Sequence, residues 1–263
     1  MPRTLIASQL PFSPEPPSGR VYEGTRLVRS TDVRPDGRFR FDALARALQD
    51  VATDDVIGTG WRAPYAWLLR RCTVTVHEYP RYGDELRLRT FCSATGPRWA
   101  QRTTTVAGPD GPQQQSVAIW AAVDLNTGAP APLGDDFFRW YGEATQGRKA
   151  SARLSLPKPG PAAAGAARDW PLRAADFDTA GHVNNAIAWA AAEDVLADLD
   201  WLPALAEVEY HRPMLPGCRP RLLVQAGDHG NGDHGNVDRE VFAWLTDGEE
   251  RLATARLYSP VPR

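Results

Sequence analysis

Residues 176–194 read Asp-Phe-Asp-Thr-Ala-Gly-His-Val-Asn-Asn-Ala-Ile-Ala-Trp-Ala-Ala-Ala-Glu-Asp, and this stretch carries the strongest signal for fold and chemistry. Two acids precede a glycine, and a polar stretch then leads into an alanine-rich run suited to a helix. Asp178 is expected just before the helix, where the free N–H groups of the first turn also point. Backbone donors that polarise a carbonyl beside a carboxylate that handles water are typical of a hydrolytic site. An ordinary helix start with Asp as an N-terminal charge explains these residues equally well.

A second helix start of the same kind lies earlier in the chain. Asp32 and Gly37 stand 144 positions before Asp176 and Gly181, and each pair is followed by a helical run and a series of strand-like runs. A matching break, helix and strand series indicates an internal duplication. The predicted strands are residues 71–76, 85–91, 99–106 and 117–125 in the first half, and 206–210, 221–226, 237–245 and 251–258 in the second.

The stretch from Asp176 to Asn185 resembles the active-site signature of hot-dog-fold thioesterases, above all the acyl-ACP thioesterases of plants and bacteria. The similarity continues in the family's order over residues 20–258, through segments 33–44, 48–52, 76–90, 120–128 and 208–212. Segment 76–90 is similar to the family's YPRxGD strand–turn–strand element. Together with the duplication, the resemblance implies an α+β double hot-dog fold, with two tandem units that each wrap an antiparallel sheet around a long helix.

The expected domain organisation follows from composition and from the duplication. Residues 1–19 contain five prolines and no long apolar core, and we expect a flexible tail. Residues 20–141 are expected to form the N-terminal hot-dog unit on the acyl-pocket side. Residues 142–170 contain little that could form a core and are interpreted as a linker, while residues 171–263 are expected to form the catalytic C-terminal unit.

The resemblance also implies roles for the residues of the signature. Asp178 aligns with the family's second motif Asp and is the expected general base or nucleophile. Gly181 and His182 are expected to supply backbone donors near the substrate carbonyl oxygen. Asn184 and Asn185 resemble the family's paired amides, one of which would fix the loop or cap the helix while the other faces substrate.

Other acids near the signature are interpreted differently. Asp176 is expected to hold the turn by accepting backbone N–H groups, and Glu193 within the helix is the alternative catalytic acid. Two departures from the family weaken the assignment. Ala180 stands where many plant members have Asn, and Pro213 where they have Glu. Either the smaller Asp-Gly-His set suffices, or the chain has moved to another reaction or a binding role.

The first copy is expected to do no chemistry. At the offset, Arg34 stands in the place of Asp178, so the carboxylate is missing there. The resemblance implies that this half shapes the acyl pocket instead. The nearest candidates to line the pocket are Leu44, Leu48 and Val51.

Composition bounds the class of protein and its partners. The 263-residue chain is 43% hydrophobic and 24% charged, which suffices for one large core or two modest ones. A net charge of −2 gives no global attraction to nucleic acid or membrane, and no apolar run approaches membrane-spanning length. Three cysteines without CxxC spacing fit a reducing compartment, so we expect a cytoplasmic protein, as a monomer or homodimer.

Neither a cofactor nor a metal is expected. The run from His229 to Asp238 is dense in His and Asp, but its glycines and asparagines favour a hairpin loop over a metal site.

Three hypotheses for function follow. The leading one is hydrolysis of fatty acyl thioesters of acyl carrier protein (ACP) to free fatty acid, within fatty acid biosynthesis. The second keeps the fold and the hydrolysis but uses acyl-CoA or a polyketide-type thioester. The third is a non-catalytic acyl-binding protein, motivated by Ala180 and Pro213.

Overall fold

The computed structural model describes residues 14–227 and 238–260, and the chain divides between Leu154 and Ser155 into two compact units. Most of the proline-rich tail lies outside the described residues. The same holds for the run that starts at His229, except for Asp238 at its end. No helix in the described part of the chain is long and apolar enough to cross a membrane.

The N-terminal unit packs its helices against one antiparallel sheet. Helix α1 (Phe41–Ile57) buries Phe41, Leu44 and Val51 and ends at Gly58, whose N–H donates to the carbonyl of Asp54. A second helix, α2 (Gly134–Thr145), packs on the sheet after the last strand. The strands are β1 (Tyr22–Leu27), β2 (Tyr65–Val76), β3 (Glu85–Thr95), β4 (Trp99–Gly108) and β5 (Gly111–Asp124). Their order in the sheet is β1-β3-β4-β5-β2.

The C-terminal unit repeats this plan in a shorter chain. Helix α3 (Pro161–Gly165) precedes the strands. Helix α4 (Ala186–Ala197) buries most of its side chains, from its alanines to the larger Ile187 and Trp189. The strands are β6 (Arg168–Asp169), β7 (Leu205–Tyr210), β8 (Arg221–Ala226), β9 (Arg239–Asp247) and β10 (Glu250–Ser259). Their antiparallel order is β7-β10-β9-β8-β6. Read from its other edge, β6-β8-β9-β10-β7, it matches the order β1-β3-β4-β5-β2 of the N-terminal unit strand for strand.

The loops before α1 and α4 are held by the same backbone hydrogen bonds at the offset of 144 residues. Each follows a one-turn 3-10 helix, Ser30–Asp32 or Ala174–Asp176. Three bonds repeat. Arg34 N–H donates to the Arg38 carbonyl, and Asp178 N–H donates to the His182 carbonyl, both at 2.8 Å. Gly37 N–H donates to the Arg34 carbonyl at 2.9 Å, as Gly181 N–H does to the Asp178 carbonyl at 3.0 Å; Arg40 N–H donates to the Asp32 carbonyl at 3.0 Å, as Asn184 N–H does to the Asp176 carbonyl at 2.8 Å. The two loops therefore share one backbone frame.

Several element bounds differ from the prediction. Strand β2 begins at Tyr65 rather than at residue 71, because a register shift between Leu69 and Arg71 breaks the alternation there. Strand β5 begins at Gly111 rather than at residue 117, because it opens with buried glutamines that lack a strand-like pattern. The segment predicted as a linker holds the last turn of α2, all of α3 and the short strand β6.

Candidate active site

The loop that leads into α4 is anchored by Asp176. This carboxylate is 3% exposed, and its Oδ2 accepts the backbone N–H of Arg173 at 2.8 Å. The Arg173 guanidinium donates to its Oδ1 through Nη2 at 2.8 Å. A bridge between Phe177 and Val183 then closes the base of the loop. Asp176 thus holds the turn through its own side chain, which is the geometry that a structural role requires.

Asp178 lies in this loop with its carboxylate exposed to solvent. Its Oδ1 accepts the backbone N–H of Ala180 at 2.9 Å and that of His182 at 3.3 Å. Within the described residues, Oδ2 accepts no hydrogen bond. One oxygen therefore fixes the orientation of the carboxylate, and the other is available to a molecule that enters from solvent.

Gly181 provides the turn that makes this arrangement possible. Its φ of 73° lies in the left-handed region that glycine adopts without steric cost. Open space surrounds the position of a Cβ atom there, so backbone conformation and not crowding is what favours glycine.

The backbone donors predicted for the substrate carbonyl are used differently. The Gly181 N–H donates to the Asp178 carbonyl at 3.0 Å, and the His182 N–H donates to the Asp178 carboxylate at 3.3 Å. Neither N–H is directed at an empty oxyanion position in this structure, because the tight turn points both back into the loop. The His182 bond is longer than the usual 2.9–3.0 Å of such bonds and is the weaker of the two.

The two asparagines at the start of α4 are structurally distinct. The Asn184 Oδ1 accepts the N–H of Ala186 at 2.9 Å and so satisfies a donor of the first helical turn. The backbone carbonyl of Asn185 accepts the hydroxyl of Tyr210 from β7 at 3.0 Å. Asn184 therefore fixes the helix start, while both asparagine side chains are partly buried beside the exposed Asp178 and His182.

Glu193, the alternative acid, lies two turns into α4. It is partly buried and already takes part in a polar or charge interaction. It does not share the Asp178 loop, which brings together the five predicted residues between positions 178 and 185.

The matching loop of the N-terminal unit presents cations instead. Arg38, at the position of His182, pairs with Asp36 at 2.6 Å. Arg34, at the position of Asp178, is partly buried and also engaged in an interaction. The two copies share the backbone frame, but the position of Asp178 holds a carboxylate only in the second copy.

The residues predicted to line an acyl pocket lie on α1. Leu44 and Val51 are buried and Leu48 is half-buried. The same unit also buries polar groups: Asp55 at 1% exposure pairs with Arg20 at 2.5 Å and with Arg102 at 2.8 Å. Any acyl chain bound beside α1 would therefore meet charged as well as apolar side chains.

Cysteines and possible metal-ligating groups lie as follows in the described residues. No group of three or more His, Cys, Asp or Glu side chains suited to a metal occurs in the described ranges 14–227 and 238–260. Cys72 and Cys92 are buried, and burial raises the pKa of Cys92 to about 12. Cys218 is partly exposed but lies outside the loop of Asp178.

Two residues of the site were missed from sequence. Arg173 anchors Asp176, and a signal for it existed, since Arg29 precedes Asp32 by the same three positions in the first copy. Tyr210 fixes the α4 start from a distant strand, which only the folded chain reveals.

Comparison with known proteins shows what the chain is similar to. Residues 19–141 match the profile of the acyl-ACP thioesterase N-terminal domain. An uncharacterized protein of Mycobacterium tuberculosis is 27% identical over 205 residues, which cover 77% of this chain and 81% of that protein.

Two solved structures share the fold over almost the whole chain. The 12:0-ACP thioesterase from Umbellularia californica aligns with a TM-score of 0.74 at 19% identity, over 91% of this chain and 94% of its own. A Lactobacillus plantarum protein assigned provisionally as an oleoyl thioesterase gives 0.78 at 15% identity, over 94% of this chain and 99% of its own. The hot-dog thioesterase fold and the resemblance to acyl-ACP thioesterases are thereby confirmed.

Proposed function

We propose that the chain, whose residues 19–141 match the acyl-ACP thioesterase N-terminal domain, is a thioester hydrolase that releases free fatty acid from acyl-ACP with Asp178 as the acting carboxylate. The observation that carries this proposal is the Asp178 side chain, fixed by two backbone N–H groups through Oδ1 and open to solvent at Oδ2. In the tandem hot-dog arrangement that we propose, the C-terminal unit holds the single active site.

Hydrolysis requires a water or an enzyme nucleophile to attack the thioester carbonyl, and a donor to stabilise the oxygen that becomes negative. As general base, Asp178 would take a proton from water through Oδ2 while that water attacks the carbonyl carbon; the C–S bond then breaks, and the leaving thiolate takes the proton from Asp178 as the free acid is released. As nucleophile, the same oxygen would attack the carbonyl carbon and expel the thiolate, which is protonated by water, and the acyl–Asp178 anhydride would then be hydrolysed by water to the free acid and the carboxylate. Both routes need the carboxylate in the position that the loop gives it.

Stabilisation of the oxyanion calls for a change in the loop. The long His182 N–H bond to Asp178 Oδ1 is the contact that could exchange for the substrate carbonyl oxygen at small cost. The exposed imidazole of His182 lies at the same position and could orient the carbonyl or the leaving thiol. His182 therefore contributes through its backbone, its ring or both.

The N-terminal unit is proposed to bind the acyl chain and not to react. Its loop carries Arg34 in place of the carboxylate, and the Arg38 side chain is paired within the loop. Leu44, Leu48 and Val51 on α1 are the proposed contacts of the acyl chain. We further propose that the protein acts in fatty acid biosynthesis in the cytoplasm.

The test is thiol release from a panel of acyl-ACP and acyl-CoA substrates of graded chain length. Asp178→Asn is expected to lower kcat by about 100-fold or more with the circular dichroism spectrum unchanged, the scale of a positioned acid–base group. Glu193→Gln serves as the matched control and should retain activity. A faster CoA reaction would assign the second hypothesis, and no turnover of any thioester would leave only acyl binding.

If the Asp178→Asn variant released thiol at a near-native rate, Asp178 would have no part in the mechanism. Loss of activity in Glu193→Gln under the same conditions would move the reaction to α4. A change at Arg34, the counterpart of Asp178 in the first copy, should alter the rate only modestly.

A further inference from the structure

A groove of about 740 Å³ lies in the C-terminal unit beside the loop of Asp178. Its walls come from residues 169–174 and 177 on one side and 216–221 on the other. Phe177 is one of the lining residues, so the groove reaches the position directly before Asp178. The volume falls within the 300–1,000 Å³ that small-molecule sites typically occupy.

Backbone hydrogen bonds tie the two walls together. The Trp170 N–H donates to the Pro220 carbonyl at 2.8 Å. Strand β6, which immediately precedes Trp170, pairs with β8, which immediately follows Pro220. Val183 of the Asp178 loop donates to the Met214 carbonyl at 2.9 Å. From Met214 to Arg219 the chain advances five residues, which can span at most about 17 Å. The walls of the groove are therefore fixed, and Arg219 lies within about 17 Å of Met214, the residue that is hydrogen-bonded to the Asp178 loop.

Three of the lining side chains are arginines, and within the described residues the guanidinium groups of two of them have hydrogen-bond partners. Arg173 is held by Asp176, and Arg221 donates to the Ala167 carbonyl at 2.6 Å. Arg219 is exposed, and in the described part of the chain its guanidinium takes part in no hydrogen bond or ion pair. A free guanidinium at the rim of a groove is suited to a phosphate, which it can bind through two N–H groups at once.

The rest of the wall holds one carboxylate, Asp169, which pairs with Arg221 at 3.5 Å, and apolar side chains that include Trp170, Phe177 and the prolines at 171, 216 and 220. A ligand that fits this distribution carries an anionic group at one end and a narrow, uncharged arm that leads towards Asp178. Phosphopantetheine has this chemistry, since its phosphate and its thioester stand at opposite ends of a flexible amide chain.

Resting on the proposed thioesterase function, we propose that the groove binds the phosphopantetheine arm of ACP, with Arg219 at the phosphate and the thioester end passing Phe177 to Asp178. The contact is one of recognition and not of chemistry. Arg219 should therefore affect KM for phosphate-bearing substrates and leave kcat unchanged.

Cys218 supplies a readout that does not depend on hydrolysis. It lines the groove, and it is partly exposed while Cys72 and Cys92 are buried. Its alkylation rate can be measured with holo-ACP, CoA or pantetheine present, each with the probe thiol blocked as a methyl thioether. We expect the ACP probe to slow alkylation of Cys218, and pantetheine, which lacks phosphate, to protect at concentrations at least about tenfold higher.

Arg219→Ala should remove the advantage of the phosphate and raise KM for acyl-ACP by about tenfold, the scale of one charge-assisted contact. Arg239→Ala is the matched control, because Arg239 is an exposed arginine of the same unit outside the groove. Protection by CoA but not by ACP would overturn the assignment to the carrier protein.

Equal protection by pantetheine would overturn the phosphate contact at Arg219, and protection by none of the probes would overturn the site itself. Hydrolysis with unaltered KM in Arg219→Ala would overturn the Arg219 contact and leave the proposed function intact. Protection of Cys218 without turnover of any thioester would instead support the groove and reject hydrolysis.

Discussion

The buried carboxylates of Asp176 and its counterpart Asp32 allow the two halves of the chain to be tested against each other. Asp32 accepts the Arg29 N–H at 3.1 Å and pairs with Arg26 at 2.9 Å. We expect Asp176→Asn and Asp32→Asn to destabilise the fold by similar amounts. Only Asp176→Asn should slow the reaction, because only that loop carries the carboxylate that we propose to be catalytic.

The expected cost follows from the contacts. A hydrogen bond from a backbone N–H to a buried carboxylate contributes about 1.5–3 kcal/mol. Asn keeps one acceptor oxygen but turns an amide towards the remaining donor, so a loss of about 2 kcal/mol is expected for Asp176. The exposed Arg173 guanidinium adds little, since water screens it. Arg26 is more buried than Arg173, so Asp32→Asn should cost at least as much.

Urea unfolding followed by circular dichroism gives the stability change, and thiol release below the melting range gives kcat. Asp176→Asn is expected to lower kcat by roughly 10- to 100-fold, because small displacements of a reacting group have effects of that size. Asp32→Asn should keep its kcat. An equal fall in both variants would show that the first copy contributes to the chemistry. A destabilised Asp176→Asn with native kcat would show that the position of Asp178 does not matter.

Two further predictions concern α1. Burial acts to raise the pKa of Asp42, but hydrogen bonds and charge from Arg40 and Arg46 outweigh it and the pKa is lowered. The stabilisation by Asp42 is thus full above its unfolded pKa of about 3.9 and is lost as pH falls through the lower folded value. Urea titrations should show that Asp42→Asn has a lower free energy of unfolding than the native chain at pH 7, and that this difference shrinks towards pH 3. A difference that stays constant with pH would contradict the prediction. Leu48→Trp should shift thiol-release preference to shorter acyl chains, by about fourfold per excluded methylene, whereas an equal loss at all lengths would place the pocket elsewhere.

The sequence predicted well what depends on local backbone chemistry. Glycine at 181 and the polar stretch before an alanine-rich run located the turn and the start of α4 within a few residues. The offset of Asp32 from Asp176 predicted the repeated loop that the hydrogen bonds display. These features could be found because each depends on neighbours close in the chain.

Features that depend on distant contacts could not be found in the same way. The register shift near Leu69 concealed the first half of β2, and α2 follows a proline-rich stretch and was interpreted in part as a linker. Which acceptor the His182 N–H takes depends on the folded turn, which places the Asp178 Oδ1 at 3.3 Å from it. Propensity and pattern contain no information on that competition.

The repeated loop frame separates the atoms that shape the backbone from those available to act on a ligand. Backbone amides and a buried aspartate hold each copy, so the side chains at positions 34 and 178 can diverge without reopening the turn. After a gene duplication, one copy could therefore lose its catalytic activity through a few substitutions while its backbone structure was kept. The same independence makes the silent loop a site at which new reactivity could be installed by design, with the native loop as its template.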